Sequence, residues 1–417
     1  MSTGNLIASL DLGTTKISTI IAEVDENGRA SIIGVGCTEA SGMQRGVVIN
    51  MDKTINSIEQ SVEKAEMMAG IEISSVFTGI AGDHIRSINS KGVIAIPRTS
   101  TRDRTGIIEQ KDVDRVIEAA KAYNLPMDRE VLHVLPQEFT VDEQTQIHDP
   151  IGMAGVRLEA DVHIITGAVT SAQNIYRCIK QAGISVADLV LEPLASSYSV
   201  LTDDEKDYGV GLLDIGGGTT DIAVFQEHAI RHTSVIGIGG ENVSRDLGVG
   251  LRTPYEHAVR IKLEHGHCYT PEIDAEEAIE IPGIGGRKTR VVSRMKIGEI
   301  CQPRMEEIFE LAVGQIRKAG VWEYLETSGV VLTGGGAQLE GAVELAEQIF
   351  QLPVKIGYPS GLGGMMSSAN MPKHATGVGL ILYGLNNADH QSPLRGDETT
   401  IFTKIFGRMR EWFDDFF

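Results

Sequence analysis

The chain is poor in cysteine, in basic charge, in aromatic residues and in long apolar runs, and each shortage excludes something. Its four cysteines, Cys37, Cys178, Cys268 and Cys301, are widely spaced and form no CxxC pair. A disulfide framework is therefore not expected, and a reducing cytoplasm fits. Lysine and arginine number 37 against 57 aspartates and glutamates, a formal net charge of −20. Non-specific nucleic-acid binding needs a basic surface, so no nucleic-acid partner is expected. The same charge gives no whole-molecule attraction to anionic lipid. No uninterrupted apolar run approaches the length that spans a bilayer. The N-terminus shows no basic region, apolar stretch and small-residue cleavage site in succession, so no secretory signal is expected. The cluster His265-Gly266-His267-Cys268 lacks a second ligand pair at zinc spacing and reads as a loop without metal.

What the chain does have is a short phrase that occurs twice. It reads Asp11-Leu12-Gly13-Thr14-Thr15-Lys16 near the start and Asp214-Ile215-Gly216-Gly217-Gly218-Thr219-Thr220-Asp221 half a chain later. Apolar runs flank both, so each reads as strand, tight turn, strand. Glycine lets backbone N–H groups close on an anion, threonine adds hydroxyl donors, and an aspartate at the strand end can hold hydrated Mg²⁺. One such hairpin is ordinary turn chemistry. Two in matching context imply a duplicated domain pair gripping one polyphosphate, and 417 residues are enough for two domains or more.

The expected elements follow from pattern. Residues 6–36 read as a three-stranded meander, and 52–69 as a helix with Ile55, Ile58, Val62, Ala65 and Met68 on one face. Residues 84–165 read as an inserted small α/β subdomain, with a loop Thr99 to Arg104, a helix near Gln110 to Ala122, and a strand Val131 to Val141 interrupted by Pro136. Residues 255–310 read as charged and mostly helical, broken by the Gly/basic loop Gly283 to Arg290. A strand Val330 to Leu332 enters Thr333-Gly334-Gly335-Gly336 and then a helix Leu339 to Phe350. That glycine turn suits close approach by a flat group, or else serves as packing punctuation.

These motifs resemble those of the actin, sugar-kinase and heat-shock chaperone ATPase superfamily. The two hairpins resemble its phosphate motifs and Leu332 to Gly336 its adenosine motif; Glu192 to Ser197 and Ala375 to Gly379 resemble its interdomain connections. Longer strings narrow the resemblance to the bacterial cell-division FtsA family: Ser41-Gly42-Met43 through Val48, His133 to Glu138, Leu194 to Leu201, and Asp214 to Val224. The resemblance implies an α/β, actin-like ATPase fold of two related lobes around a nucleotide cleft. Residues 1–83, 166–195 and 360–385 would form the first-lobe core, 84–165 the inserted subdomain, and 196–359 the second lobe with an outer subdomain near 236–310. ATP and Mg²⁺ are the implied ligands. Asp11, Gly13, Thr14, Thr15 and Lys16 would contact phosphate from one lobe, and Asp214, Gly216, Gly217, Gly218, Thr219 and Thr220 from the other. Asp11 and Asp214 would hold Mg²⁺ through water. Gly239, Gly240, Gly334, Gly335 and Gly336 would lie along the nucleotide. Lys262 and Glu264 would contact ribose or adenine, unless they are a plain charged helix face. Glu192 would position the attacking water, for at most slow ATPase activity.

The end of the chain is of another kind. Residues 386–400 have linker composition, with an average reach of roughly 20 Å. After them Ile401, Phe402, Ile405, Phe406, Met409, Trp412, Phe413 and Phe416 fall on one helical face. Such a helix either folds back on the core or lies in a membrane interface, and the detached linker and crowded aromatics favour the membrane. The resemblance then implies a peripheral protein on the cytoplasmic face of the bacterial inner membrane. There it would form actin-like protofilaments, tether the tubulin-like FtsZ polymer and recruit later division proteins. Arg304 is the candidate FtsZ contact, or else a solvated helix arginine. A small-molecule kinase would share both hairpins but would need a substrate pocket and no aromatic tail.

Overall fold

The computed structural model describes residues 5–97, 105–122, 125–283, 287–364 and 369–386. Its first lobe starts as the expected meander of β1 (Asn5–Leu12), β2 (Lys16–Val24) and β3 (Ala30–Glu39). Helix α1 (Met51–Ala69) begins at an Asn50 cap whose side chain accepts the Lys53 N–H, and it ends at a left-handed Gly70. It buries Ile58, Val62 and Ala65. Met68 was expected on that face but is half exposed, because the last turn passes the sheet rim, where its sulfur accepts the Val35 N–H.

Next come β4 (Ser75–Ile80), β5 (Arg86–Ala95), α2 (Gln110–Ala120), β6 (Arg129–Val141), β7 (Gln144–Ile147) and β8 (Arg157–Ala168). The first lobe resumes with α3 (Val169–Gln181), β9 (Ser185–Leu191) and α4 (Glu192–Val200). The second lobe holds β10 (Val210–Ile215), β11 (Thr220–Gln226), β12 (Ala229–Ile236), α5 (Gly240–Gly250), α6 (Tyr255–His265) and α7 (Arg294–Ala319). It continues with β13 (Val330–Thr333), α8 (Ala342–Phe350) and β14 (Val354–Ile356), and α9 (Ala375–Asn386) returns to the first lobe.

The sheet orders show the duplication. In the first lobe β3-β2-β1-β4-β9 are neighbours; in the second β12-β11-β10-β13-β14 are. Each is an antiparallel meander followed by two parallel strands. The inserted sheet, β7-β6-β8-β5, is a separate layer with its own buried cluster around Val113, Phe139, Leu158 and Val162.

Three expectations are corrected. Pro136 does not interrupt its strand. It sits at a bulge, where Val162 pairs with Pro136 and Asp161 with Glu138, leaving Gln137 as the extra residue. The span 255–310 is not simply helical: Ala278–Ile281 and Arg290–Ser293 pair as a hairpin around the Gly/basic stretch. The helix after the third glycine turn starts at Ala342 rather than Leu339, because Gly341 takes a left-handed conformation and a single 3₁₀ turn occupies 336–338.

The loop Thr99 to Arg104 lies outside the described residues, as do 387–417, with the expected linker and the stripe Ile401, Phe402, Ile405, Phe406, Met409, Trp412, Phe413 and Phe416. Among the described residues no helix is long and apolar enough to cross a membrane.

Candidate functional site

The two repeated phrases fold as hairpins of one design, and the lobes bring them together. In the first, Asp11 pairs across the strands with Ser18; in the second, Asp214 pairs with Asp221. The tips touch, so that a Cβ on Gly217 would fall 2.4 Å from Thr15 Cγ2. Beneath them is a cavity of about 420 Å³. Of the expected residues, Asp11, Gly13, Thr14, Thr15, Lys16, Glu192, Asp214, Gly216, Gly217, Thr219, Gly334 and Gly335 line it. Two do not. Gly218 packs against Thr14 and the Arg45 backbone, and the Thr220 hydroxyl donates to the Ile238 carbonyl 2.9 Å away.

The third glycine turn lies flush on the second hairpin. Gly334 has φ +84°, and a Cβ there would sit 2.4 Å from Asp214 Oδ1, so only glycine fits. A second cavity of about 450 Å³ adjoins the first through Leu263, Gly335 and Lys373. Gly240, Lys262, Glu264 and Gly336 line it. The half-buried Lys262 ammonium donates to the Gly240 carbonyl at 2.8 Å, and burial pushes its pKa down. Gly239 caps α5 and is held over the second hairpin by Gly240 N–H and Glu241 N–H, which donate to the Gly216 and Gly217 carbonyls.

The floor of the first cavity is acidic. Asp11, Glu39, Glu192, Asp214 and Asp221 line it against Lys16 and Lys373. Lys16 Nζ donates to Asp11 Oδ2 at 3.0 Å and to the Lys373 carbonyl at 2.7 Å. Asp214 Oδ2 accepts from Ser196 Oγ at 2.6 Å and Thr376 Oγ1 at 3.2 Å, while burial raises its pKa to about 6. Burial first, then Asp11, Asp221 and Asp214, push Glu192 well above the usual carboxylate range. Burial and Asp214 raise Asp221 in the same way, and its Oδ1 has no hydrogen-bond partner. Among the described residues no group of three or more His, Cys, Asp or Glu side chains is arranged to ligate a metal directly, so a hard divalent cation at these crowded carboxylates would be held through water.

Sequence reasoning missed Asp221, Ser196 and Thr376 as site residues. Asp221 closes the second phrase directly opposite Asp214, a position the first hairpin fills with Ser18, so inspecting that register would have found it. Ser196 and Thr376 lie in the two stretches read only as connections, and their role is to steady Asp214. Arg304 stands apart on α7. It is ion-paired with Asp246 at 2.7 Å and with Glu307, so its guanidinium is already engaged.

The fold and the cleft define the class. Solved structures share the fold across nearly the whole chain. They include a chain of the PilM–PilN type IV pilus biogenesis complex (TM-score 0.64, 14% identity, 91% of this chain and 98% of that one). Another is MreB5 of Spiroplasma citri bound to AMPPNP (TM-score 0.56, 14% identity, covering 91% and 96%). A third is the MamK double helical filament (TM-score 0.53, 14% identity, covering 93% and 99%). This is an actin-like fold of two lobes about a cleft. The family model for cell division protein FtsA matches residues 211–379, and that for the SHS2 domain inserted in FtsA matches 82–166. The cell division protein FtsA of Pseudomonas aeruginosa is 45% identical over 385 residues, 92% of this chain and 90% of that protein. That of Escherichia coli K12 is 38% identical over 414 residues, covering 98% and 95%. The chain belongs to the FtsA family of cell division proteins.

Proposed function

We propose that the chain binds ATP with Mg²⁺ in its cleft and acts as a membrane-tethered, self-assembling scaffold of cell division. The observation that carries the reading is the meeting of two glycine hairpins, one from each lobe, above a carboxylate floor. Thr14, Thr15 and Lys16 on one side and Gly216, Gly217 and Thr219 on the other would hold the phosphates. Asp11 and Asp214 would hold Mg²⁺ through water, and the metal would supply the charge that quiets this floor. The second cavity, beside Lys262 and Glu264, would take the nucleoside. Glu192 would orient a water for hydrolysis. Burial first, and then the neighbouring carboxylates, disfavour the charged form of Glu192, which weakens it as an acceptor and fits at most slow turnover.

The likeness to an MreB bound to a nucleotide analogue and to a MamK filament supports both nucleotide binding and self-association. Residues 401–417 would place the filament on the cytoplasmic face of the inner membrane. One such helix is a marginal anchor, and many copies in a filament multiply it by avidity. FtsZ and later division proteins would be the partners. Arg304, which would have to leave Asp246 and Glu307 to engage a partner, is the candidate FtsZ contact.

Liposome co-sedimentation tests the whole reading. The full chain and a version ending at residue 400 are spun with anionic vesicles, with and without ATP–Mg²⁺. The full chain should pellet, more so with ATP, and the shortened one should stay in solution. Equal behaviour of the two would remove the membrane role from residues 401–417.

A further inference from the structure

The inserted subdomain belongs by chain to the first lobe, yet it also docks on the second, and its two attachments are built differently. On the first-lobe side the root is apolar. Ile85, Leu132, Leu135 and Ile165 are buried in the cluster that runs through β1, β4 and β9. His133 Nε2 accepts the Leu191 N–H, and Arg129 is fixed by Thr166 and the His84 carbonyl.

On the second-lobe side Ile230 joins the same buried cluster, and the rest of the attachment is a set of side chains reaching main-chain carbonyls. Strand β12 is the edge of its sheet, so part of its backbone lacks a strand partner. Ser87 Oγ donates to the Thr233 carbonyl at 2.8 Å, Asn89 Nδ2 to the Arg231 carbonyl at 3.4 Å, and Gln137 Nε2 to the Ile230 carbonyl at 2.6 Å. Gln137 is the extra residue of the Pro136 bulge, and Arg231 is the extra residue of a bulge in β12. Two irregularities, one on each partner, thus aim the donors and the acceptors at each other.

His163 joins the set from below. Its Nδ1 lies 2.6 Å from Asn89 Oδ1 and its Nε2 lies 3.0 Å from Thr233 Oγ1. Asn89 already donates through Nδ2, so its oxygen accepts the Nδ1–H, and Nε2 accepts from the Thr233 hydroxyl. This neutral tautomer satisfies every partner at once. Its surroundings keep it neutral: His163 is buried beside His232, and burial lowers its pKa to about 3. Packing is loose alongside, where a cavity of about 270 Å³ opens between Asn89, His163, His232, Gln315 and Lys318. His232 Nε2 is buried there without a partner.

We propose that this junction is a latch: a remakeable polar contact that ties the inserted subdomain to the second lobe and so couples opening of the cleft to the seating of that subdomain. An apolar root stays closed because opening it exposes hydrocarbon, whereas a polar contact exchanges its partners for water at small net cost. When the lobes rotate about the cleft, the second-lobe side is therefore the side that gives. The coupling half of the proposal rests on the nucleotide reading of the cleft. Coupling is reciprocal, so ATP that draws the lobes together should tighten the latch, and a cut latch should weaken ATP binding.

The test is hydrogen–deuterium exchange on the full chain, with the double variant Ser87→Ala/Asn89→Ala and the conservative Ser87→Thr, which keeps its hydroxyl. Cutting the latch should speed exchange at least several-fold in peptides spanning 86–95 and 229–236 and leave α1 unchanged, and Ser87→Thr should behave as the parent. ATP–Mg²⁺ should slow exchange in those two peptides of the parent, and the double variant should bind ATP roughly 3- to 10-fold more weakly. Unchanged exchange at 86–95 and 229–236, or faster exchange everywhere including α1, overturns the latch. Faster local exchange with unchanged ATP affinity overturns the coupling. If the parent itself binds no ATP, the nucleotide reading and the coupling both fall, and the exchange pattern without nucleotide still decides the latch.

Discussion

The two glycine hairpins share one backbone design and differ in what holds the leading aspartate. Asp11 is paired with an ammonium: Lys16, from the end of the same turn, reaches back to it and on to the Lys373 carbonyl. Asp214 has no ammonium. It is held by hydroxyls from α4 and α9, through Ser196 and Thr376, and it faces a second aspartate across the strands. The first site is therefore locally neutral, and the second is acidic and wired to the two segments that join the lobes. Duplication supplied the turn, and divergence of its neighbours left one leading aspartate ion-paired and the other held only by hydroxyls.

The sharpest way to break this comparison is to neutralise each aspartate in turn. Asp214→Asn should weaken ATP–Mg²⁺ binding about 100-fold, about 2.8 kcal/mol, and Asp11→Asn about 10-fold, because Lys16 already offsets part of the Asp11 charge. Titration calorimetry would read both. Without nucleotide the order reverses. A carboxylate whose pKa is raised to about 6 is destabilising at pH 7, so Asp214→Asn should raise the melting temperature. Equal affinity losses at the two positions, or a less stable Asp214→Asn protein, would contradict the contrast between a paired Asp11 and an unpaired Asp214.

How much of this was readable beforehand depends on range along the chain. The hairpins were legible because glycine, threonine and flanking apolar runs act within a few residues, and the duplicated sheet order followed from them. The Pro136 bulge was not, because proline signals a lost N–H but not that the partner strand absorbs the extra residue. Strand β5 was missed since Arg86–Ala95 is polar along one face and strand-like only once β8 pairs with it. The hydroxyls on Asp214 come from 18 and 162 residues away, and no local pattern encodes such an approach. Asp221 was within reach, since it stands opposite Asp214 in register.

A smaller effect should come from the lysine. Lys16→Gln would remove one proposed phosphate contact and leave a buried Asp11 without its cation. ATP affinity should fall roughly 10-fold, and stability should fall by about 1–3 kcal/mol, the cost of stranding one member of a buried pair with partial relaxation. Thermal melts of Lys16→Gln and Asp214→Asn without nucleotide should therefore move in opposite directions from the parent. A rise for both would mean that burying the Lys16 ammonium costs more than its pairing with Asp11 returns.

The finest distinction lies in how the two hairpins answer to acid. Beside the first, His374 is buried, with Nδ1 3.4 Å from Ser18 Oγ, and burial, Lys16 and Lys373 lower its pKa to about 3 from an ordinary 6.5. Between those values the unfolded chain binds the proton and the folded one does not. Its contribution to stability is thus complete above pH 6.5 and is lost as the pH falls toward 3. Asp214 has the opposite sign. Its raised pKa means that the folded form takes a proton between about pH 6 and the ordinary aspartate value of 3.8, so acid relieves its strain in that window. A pKa difference of one between folded and unfolded chain is worth about 1.4 kcal/mol, and between about pH 6 and 4 the two effects largely cancel. Substitution should expose them separately. Asp214→Asn should steepen the loss of stability between about pH 6 and 4, and His374→Gln should flatten it. Urea melts of the nucleotide-free variants across that range would read the slopes, and identical slopes in all three proteins would show that neither hairpin's surroundings carry the charge strain ascribed to them.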